Sequence, residues 1–213
     1  MIQDYIETFF RLIYPTSFLC FFHQASLLRD WHARTIDISL LKAVCACSLR
    51  FALDCDSDGE RVKKWIQEAE TDAMDHLGDL SIVRLQVLML LIFYHSRLRN
   101  SSKVWMLSGL AARLAFAKRL NHEMATLPHV VQESRRRLMW SIFIIDKFYS
   151  GGMSELTLCT AEDMHIRLPC NERSFAFGVP SETPRIYAKD RSNDMGILAY
   201  YIRLLQIRHK ILR

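Results

Sequence analysis

One carboxylate, Asp146, lies inside an otherwise apolar stretch and is the first candidate for acid–base chemistry or for ligand contact. On a helical wheel it falls between Ile142 and Phe143, so a helix here gives it no polar face. An unpaired carboxylate in the interior costs several kcal/mol. Asp146 must therefore be paired, hydrated at the helix end or protonated, and it serves either as a structural ion-pair partner or as a ligand-contacting acid.

Two other patterns begin like metal sites and are incomplete. The stretch DCDSDG at residues 54–59 reproduces the first half of an EF-hand loop, but Trp65 occupies the twelfth position, where calcium needs a bidentate Glu. His122 with the following Glu starts like a zincin helix, but Thr126 stands at the second histidine position. We expect a solvated acidic loop at residues 54–59 and no metal or cofactor in this chain.

Three consecutive arginines, Arg135–Arg137, could contact phosphates or a nuclear import receptor. Consecutive helical residues point about 100° apart, so one or two of the three can face a flat partner. A solvated or intramolecular role is the alternative reading. No G-x-S-x-G, Walker loop or G-x-G-x-x-G motif occurs, so an enzyme that uses Asp146 or His122 as acid or base is the weakest hypothesis.

Composition narrows the fold class and the kind of protein. The 213 residues are 50% hydrophobic with only 7 Gly and 5 Pro, and no long stretch alternates apolar and polar residues. We therefore predict an all-α fold, a single domain over residues 1–213 formed by a bundle of about eight to ten helices around a central apolar helix. The net charge of +5 is scattered and does not by itself indicate nucleic-acid binding.

The cysteines and the apolar runs argue against a disulfide-stabilised protein and against a membrane-spanning one. The six cysteines contain no C-x-x-C pair and mostly fall in apolar helical patterns, which predicts reduced core thiols in an intracellular compartment. The longest apolar run, Val87–Tyr94, is too short to cross a bilayer. We expect no membrane partner.

The central helix is predicted around residues 138–149, where apolar side chains occupy every side of the wheel. Burial of its nine apolar side chains is worth at most about 13–27 kcal/mol, and no other segment of this length offers as much. Because Arg137 lies about 13 Å away along the helix axis, the partner of Asp146 should come from another helix.

The remaining helices follow from apolar spacing and from Pro and Gly. They are expected at residues 2–14, 17–31, 41–52, from Ser57 or Asp58 to 77, at 81–97, at 104–121, and from 197 to the last residue. Residues 170–192 are predicted to be a long loop. A chain that stops within a helix is interpreted as a fragment of a longer protein.

The helix at 104–121 carries a ridge of small residues formed by Ser108, Ala111, Ala112 and Ala115. Gly109, in the adjoining row with Trp105, costs about 1 kcal/mol relative to Ala, which close packing would have to offset. Arg113 flanks that row and is the expected partner of Asp146. Removal of either member of such a buried pair would cost about 3–5 kcal/mol.

Three motifs in order carry a resemblance to a known family. They are WMLSGLAARLAFAKRLNHE at residues 105–123, ESRRRLMWSIFIIDK at 133–147, and D-x-x-I-x-L-P at 163–169. Together they resemble the fungal-specific transcription factor domain, the helical middle region of zinc binuclear cluster regulators that include xylanolytic activators. The resemblance covers roughly residues 1–185.

Residue by residue, two helices match the family pattern. The matching positions are Trp105, Gly109, Ala112, Arg113, Ala115, Leu120 and His122 in the first, and Arg135, Arg136, Arg137, Leu138, Trp140 and Asp146 in the second. Met139 replaces a frequent tryptophan, and GGMSEL at residues 151–156 replaces the usual Gly-Arg-Pro. We take Trp105, Gly109, Arg113, Arg136, Trp140 and Asp146 as structural or regulatory candidates and predict no catalytic residue.

The resemblance implies a nuclear regulatory domain that controls transcription by binding an effector or a partner. A small-molecule effector, a homodimer and a related transcription factor are all open as partners. Zinc and DNA would be bound only by an N-terminal cluster of six cysteines, whose spacing does not occur here. The alternative is a freestanding dimerisation or interaction protein that has lost its DNA-binding domain.

Overall fold

A computed structural model of the chain describes residues 2–16, 18–51, 59–189 and 192–212. These residues form nine α-helices and no β-strand, and two isolated bridges, His122–His165 and Cys170–Met195, are the only β-type pairings among them. The all-α prediction is confirmed. The helices are α1 Ile2–Thr8, α2 Gln24–His32, α3 Ile38–Phe51, α4 Gly59–Asp75, α5 Ile82–Arg97, α6 Ser101–Ala117, α7 His129–Ser150, α8 Glu172–Phe177 and α9 Ile197–Leu212.

Tertiary contacts divide the chain into two compact units. The first comprises Met1–Cys20 with Gln24–Leu114, and the second comprises Phe21–His23 with Ala115–Arg213. The division falls within α6. That residues 1–213 act as a single domain stays a prediction.

The first unit is built on α3 and α5. Helix α3 packs against α1, α4 and α5, and the Ser48 hydroxyl donates to the Tyr5 carbonyl oxygen at 2.8 Å. Helix α5 begins after Ser81, whose side chain accepts from the Arg84 backbone N–H, and every residue in 87–95 is buried. An apolar helix that is enclosed on all sides is the kind of element around which a helical unit assembles.

The second unit is built on α7, which buries sixteen of its 22 residues. Trp140 is fully buried and Ile144 is 5% exposed, as the apolar wheel predicts. Phe148, on the last turn, is instead 59% exposed. Helix α7 stops at Gly151, whose φ of 58° is the left-handed conformation that glycine adopts without steric cost. Helix α9 packs against α7.

Several element boundaries differ from the sequence prediction, and helix α7 begins at His129 rather than near residue 138. The helix expected over 17–31 begins only at Gln24. Ser17 lies outside the described residues, and Leu19, Phe21 and Phe22 are buried in a non-helical segment. The loop expected over 170–192 contains α8, whose cap residue Asn171 accepts from the Ser174 N–H at 2.8 Å. A single capped turn and a half is too short for apolar periodicity to reveal.

The incomplete EF-hand pattern lies outside the described residues except for Gly59, the first residue of α4, and so does Cys55. The other five cysteines are buried, as predicted for core thiols. Among the described helices, none combines the length and the apolar character needed to cross a membrane.

The small-residue ridge of α6 is buried at Ala111, Ala112 and Ala115, whereas Gly109 does not sit at a close contact. Outside its chain neighbours and its own helix backbone, a Cβ atom added at Gly109 would meet no atom of the described residues within 4 Å. The expectation that close packing offsets the cost of this glycine is therefore wrong. Its backbone entropy in the unfolded chain is a cost that nothing at this position recovers.

We expect Gly109→Ala to stabilise the protein by about 0.5–1 kcal/mol, because alanine has the higher helix propensity and finds open space there. The measurement is the free energy of unfolding in urea. Gly152→Ala is the matched control and should destabilise, because Gly152 has φ of 93° and its new Cβ would lie 2.6 Å from the Leu212 Cβ. Equal effects of the two substitutions would contradict the assignment.

Candidate functional site

The candidate site of the second unit is centred on Glu133, a carboxylate in the first half of α7 with no solvent exposure. Its Oε1 accepts from Arg137 Nε at 2.9 Å and from the Cys170 backbone N–H at 2.9 Å. Its Oε2 accepts from Arg136 Nη1. Both oxygens are thus occupied, and the buried charge is compensated by two guanidinium groups and one backbone dipole.

Arg136 connects Glu133 to the loop after α6. Its Nε and Nη2 donate to the two oxygens of Glu123, each at 3.0 Å, in the two-pronged geometry that arginine forms with carboxylates. Burial opposes the charged form of Arg136, but the hydrogen bonds to Glu123 and the charge of Glu133 outweigh it and raise the Arg136 pKa. Arg136 is therefore charged at all physiological pH values.

Arg137 is fully buried and extends the network to α8. Its Nη1 donates to both oxygens of Glu172 at 2.9 Å, and its Nη2 donates to the Cys170 carbonyl oxygen at 2.8 Å. The guanidinium carbon also lies 4.2 Å from the centre of the Phe175 ring. Such stacking is favourable because the ring face is electron-rich.

These contacts clamp the D-x-x-I-x-L-P segment against α7. Glu123 Oε1 accepts from the Arg167 backbone N–H at 2.8 Å, and Trp140 Nε1 donates to the Arg167 carbonyl oxygen at 2.8 Å. Ile166 and Leu168 are fully buried. We call the five side chains that carry this network the α7 latch: Glu123, Glu133, Arg136, Arg137 and Glu172.

Asp146 lies ten residues after Arg136 on α7, and its hydrogen-bond donors are backbone N–H groups rather than side chains. Its Oδ1 accepts from the Leu158 N–H at 2.9 Å and its Oδ2 from the Cys159 N–H at 3.0 Å. The Lys147 Nζ lies 3.7 Å from Oδ2. Burial raises the Asp146 pKa, although these two backbone hydrogen bonds and the Lys147 charge act against the rise.

The expected Arg113–Asp146 pair is therefore corrected. Arg113 is exposed, and the hydrogen bonds to Asp146 come from the backbone of the segment that follows α7. The alternatives drawn from the sequence were a side-chain partner, water at the helix end or protonation, whereas a chain that folds back over a helix end also offers unpaired backbone N–H groups.

Three of the six predicted site residues lie on α7 and three on α6. Arg136 and Trp140 lie together on α7 beside the Asp163–Pro169 segment, and Asp146 lies near the C-terminal end of the same helix. Trp105, 44% exposed, and Gly109 belong with Arg113 to the part of α6 that falls in the first unit.

Sequence reasoning missed the three carboxylates of the latch. A signal was present for one of them, because Glu133 precedes Arg136 and Arg137 by three and four residues, the spacing at which helical side chains meet. Contact of Arg135–Arg137 with phosphates or an import receptor is excluded, because these residues are only 7%, 6% and 0% exposed.

The α7 latch stabilises the fold, but it offers few groups that could catalyse a reaction or bind a metal. The latch carboxylates are engaged with guanidinium and backbone groups, and burial raises the pKa of the nearby Cys170 thiol to about 12. A protonated thiol is a poor nucleophile and a poor metal ligand. The described residues contain no group of three His, Cys, Asp or Glu side chains able to hold a metal ion.

A family model of the fungal specific transcription factor domain matches residues 6–213. The chain belongs to this family. The match extends beyond residue 185, where the resemblance carried by the motifs ended, and therefore also includes α9. Members of the fungal specific transcription factor domain family are regulatory domains rather than enzymes, and this chain is one of them.

Curated relatives of this fungal transcription factor domain are much longer proteins. The chain is 26% identical over 236 residues to the Zn(2)-C6 fungal-type transcription factor FTF1c of Fusarium oxysporum f. sp. lycopersici, covering 97% of this chain and 25% of that protein. It is also 26% identical to the uncharacterized transcriptional regulatory protein C1327.01c of Schizosaccharomyces pombe, covering 94% and 23%. The chain thus spans about a quarter of the length of these relatives. No solved structure matches it.

Glu133→Gln is expected to destabilise the fungal domain by about 3–5 kcal/mol, because it removes the shared counter-charge of two buried guanidinium groups. The measurement is the free energy of unfolding in urea. Glu60→Gln makes the same chemical change at an exposed helical pair with Lys63 and should leave stability almost unchanged. A comparably small effect of both substitutions would show that the latch does not carry stability.

Asp146→Ala is expected to cost about 2–4 kcal/mol, because two buried backbone N–H groups lose their acceptor. Arg113→Ala, at an exposed position, should change stability by less than about 0.5 kcal/mol. Thermal unfolding of the two single variants and of the double variant checks this. A large loss for Arg113→Ala, with strong coupling to Asp146, would restore the corrected ion pair.

Proposed function

We propose that this chain is a regulatory domain that controls transcription by binding a partner or an effector, and that it does so through the docked state of the Asp163–Pro169 segment. The observation that carries the proposal is the α7 latch. It joins the arginine-rich block to the D-x-x-I-x-L-P block, two of the motifs that carry the family resemblance, through Glu123, which accepts from the Arg136 guanidinium and from the Arg167 backbone N–H.

A latch of this kind supports switching rather than gradual movement. Separating the segment from α7 would take the Arg167 backbone from Glu123 and Trp140, and leaving such buried polar groups without partners is costly unless they become hydrated together. The segment is therefore either fully docked or fully released. An element with two discrete states is what a bound partner can bias.

In the second unit, a protein partner is favoured over a small-molecule effector. A cavity of about 220 Å³ in the second unit is lined by polar and apolar side chains, among them Tyr187, Arg203, Gln206 and Lys210. Typical small-molecule sites measure about 300–1,000 Å³. This cavity falls below that range, whereas exposed apolar surface in the same unit is extensive. A larger cavity of about 450 Å³ lies on α4 in the first unit and has a mostly charged and polar lining.

DNA binding and zinc are assigned to sequence outside this chain. The names of its Fusarium relatives include Zn(2)-C6, and none of the described residues forms a metal-binding group. We propose a nuclear protein in which a zinc-cluster domain supplies DNA contact while this domain regulates it, alone or as a dimer with itself or a related factor. The alternative, a freestanding interaction protein, requires a gene without the cluster.

A reporter assay tests the regulatory role. The chain is inserted between a heterologous DNA-binding domain and an activation domain in fungal cells, and reporter output is compared with that of a flexible linker of equal length. We expect the output to change, and the change to be lost with Arg136→Ala, which opens the latch. Output equal to that of the linker, at equal protein level, contradicts the proposal.

The isolated chain should give no shift of double-stranded DNA in a gel and should retain no zinc after dialysis. Genomic sequence upstream of Met1 that encodes six clustered cysteines supports the regulator, and its absence supports the freestanding interaction protein. Sequence-specific DNA binding by the chain alone would contradict both.

A further inference from the structure

Helix α9 presents a row of exposed apolar side chains along one side. Ile197, Tyr200, Leu204, Ile207 and Ile211 are 88%, 52%, 60%, 55% and 77% exposed. Their spacing alternates three and four residues, which is the a/d pattern of a heptad repeat. We call these five residues the α9 seam. Contiguous exposed apolar surface of this kind marks an interaction site rather than the ordinary scatter of surface apolar residues.

The opposite side of α9 already has its partner. Ala199, Ile202, Leu205, Gln206 and His209 are buried, and α9 packs against α7. In the heptad set by the seam these residues occupy b, c and f positions, away from a and d. The helix is therefore anchored by one face while a second, complete apolar face remains available for another helix.

The charges beside the seam identify the chemistry of that helix. The sixteen residues of α9 include Arg203, Arg208 and Lys210 and no Asp or Glu. Arg208 occupies an e position and Arg203 and Lys210 occupy g positions, the sites that face the flanks of a paired helix. Arg208 and Lys210 are exposed, and Lys210 lies 5.0 Å from the Tyr187 ring.

These flanking charges disfavour a second copy of the same helix. In a parallel pair, g positions face e positions of the partner, and in an antiparallel pair g faces g and e faces e, so basic groups would oppose one another in both arrangements. A helix with carboxylates at its own e and g positions would instead form ion pairs on both sides of the apolar seam.

We propose that the α9 seam binds an amphipathic helix of another protein whose apolar a/d face is flanked by Asp or Glu residues. That this contact regulates transcription rests on the proposed function, because the acidic helix would be the partner that such a regulatory domain binds. The binding itself depends only on α9 and its exposed face.

The test uses two synthetic probes. Both are fluorescein-labelled peptides of about three heptads with Leu at a and d, and one carries Glu and the other Lys at every e and g position. Fluorescence anisotropy of each probe is titrated with the full 213-residue chain. We expect the Glu probe to bind at least about tenfold more tightly than the Lys probe at about 50 mM salt, with the preference reduced at about 500 mM.

Three variants make the test specific. Leu204→Glu should weaken the Glu probe at least about tenfold. Phe177→Glu, the same charge change at another exposed apolar residue of the second unit, should leave it unchanged. The double variant Arg208→Glu with Lys210→Glu should reverse the preference in favour of the Lys probe. Circular dichroism and thermal unfolding verify that each variant is folded.

Other occupants give distinct results, and each overturns the proposal. Sedimentation equilibrium that shows a dimer abolished by Leu204→Glu, without Glu-probe binding, assigns the seam to a second copy. Seam-dependent co-sedimentation with vesicles of equal parts phosphatidylcholine and phosphatidylserine, without Glu-probe binding, assigns it to a membrane. Equal binding of both probes, or of neither, also overturns it. Because reporter output is not used here, failure of the regulatory proposal would leave this result standing.

Discussion

The second unit depends on a single buried carboxylate. Glu133 has no solvent exposure and holds two guanidinium groups and a backbone N–H in place at once. A network of this kind is stable only when each partner is present, since any group left alone in the interior costs several kcal/mol. The latch therefore holds the Asp163–Pro169 segment against the core. Its hydrogen bonds fix the position of that segment more specifically than apolar packing alone would.

Helices α5 and α7 are both buried, but different interactions hold each of them in its unit. Helix α5 is enclosed by apolar contacts over residues 87–95, where His95 is the only ionisable side chain besides Tyr94. Helix α7 divides its length: ionic contacts dominate from Glu133 to Arg137, and apolar packing dominates from Leu138 to Ile145. The polar half contacts the Cys170 backbone directly and the Arg167 backbone through Glu123, whereas the apolar half anchors α7 in its unit and adds the Trp140 hydrogen bond to Arg167. A regulatory domain benefits from that division because a polar interface can be rearranged without exposing the apolar core.

The contacts at the two ends of α7 show how differently charge can be buried. Glu133 is compensated by side chains that lie three and four residues away and by a distant backbone group. Asp146 is compensated by two consecutive backbone amides just beyond the helix end. Helical spacing encodes the first arrangement, whereas the second depends on how the chain turns after Gly151–Gly152.

The sequence by itself determined the all-α class, the apolar helix around residues 138–149 except for the exposed Phe148, the buried core thiols and the family. It could do so because helical periodicity and motif order are local properties of the chain. It indicated Arg136 and Trp140 without their partners. Only the tertiary structure decided that Glu123, Glu133 and Glu172 surround the arginines, that Asp146 needs no Arg113, that Gly109 has open space, and that the apolar row of α9 faces solvent. Each of these depends on which segments meet in space, and a periodic pattern states that a face is apolar without stating what covers it.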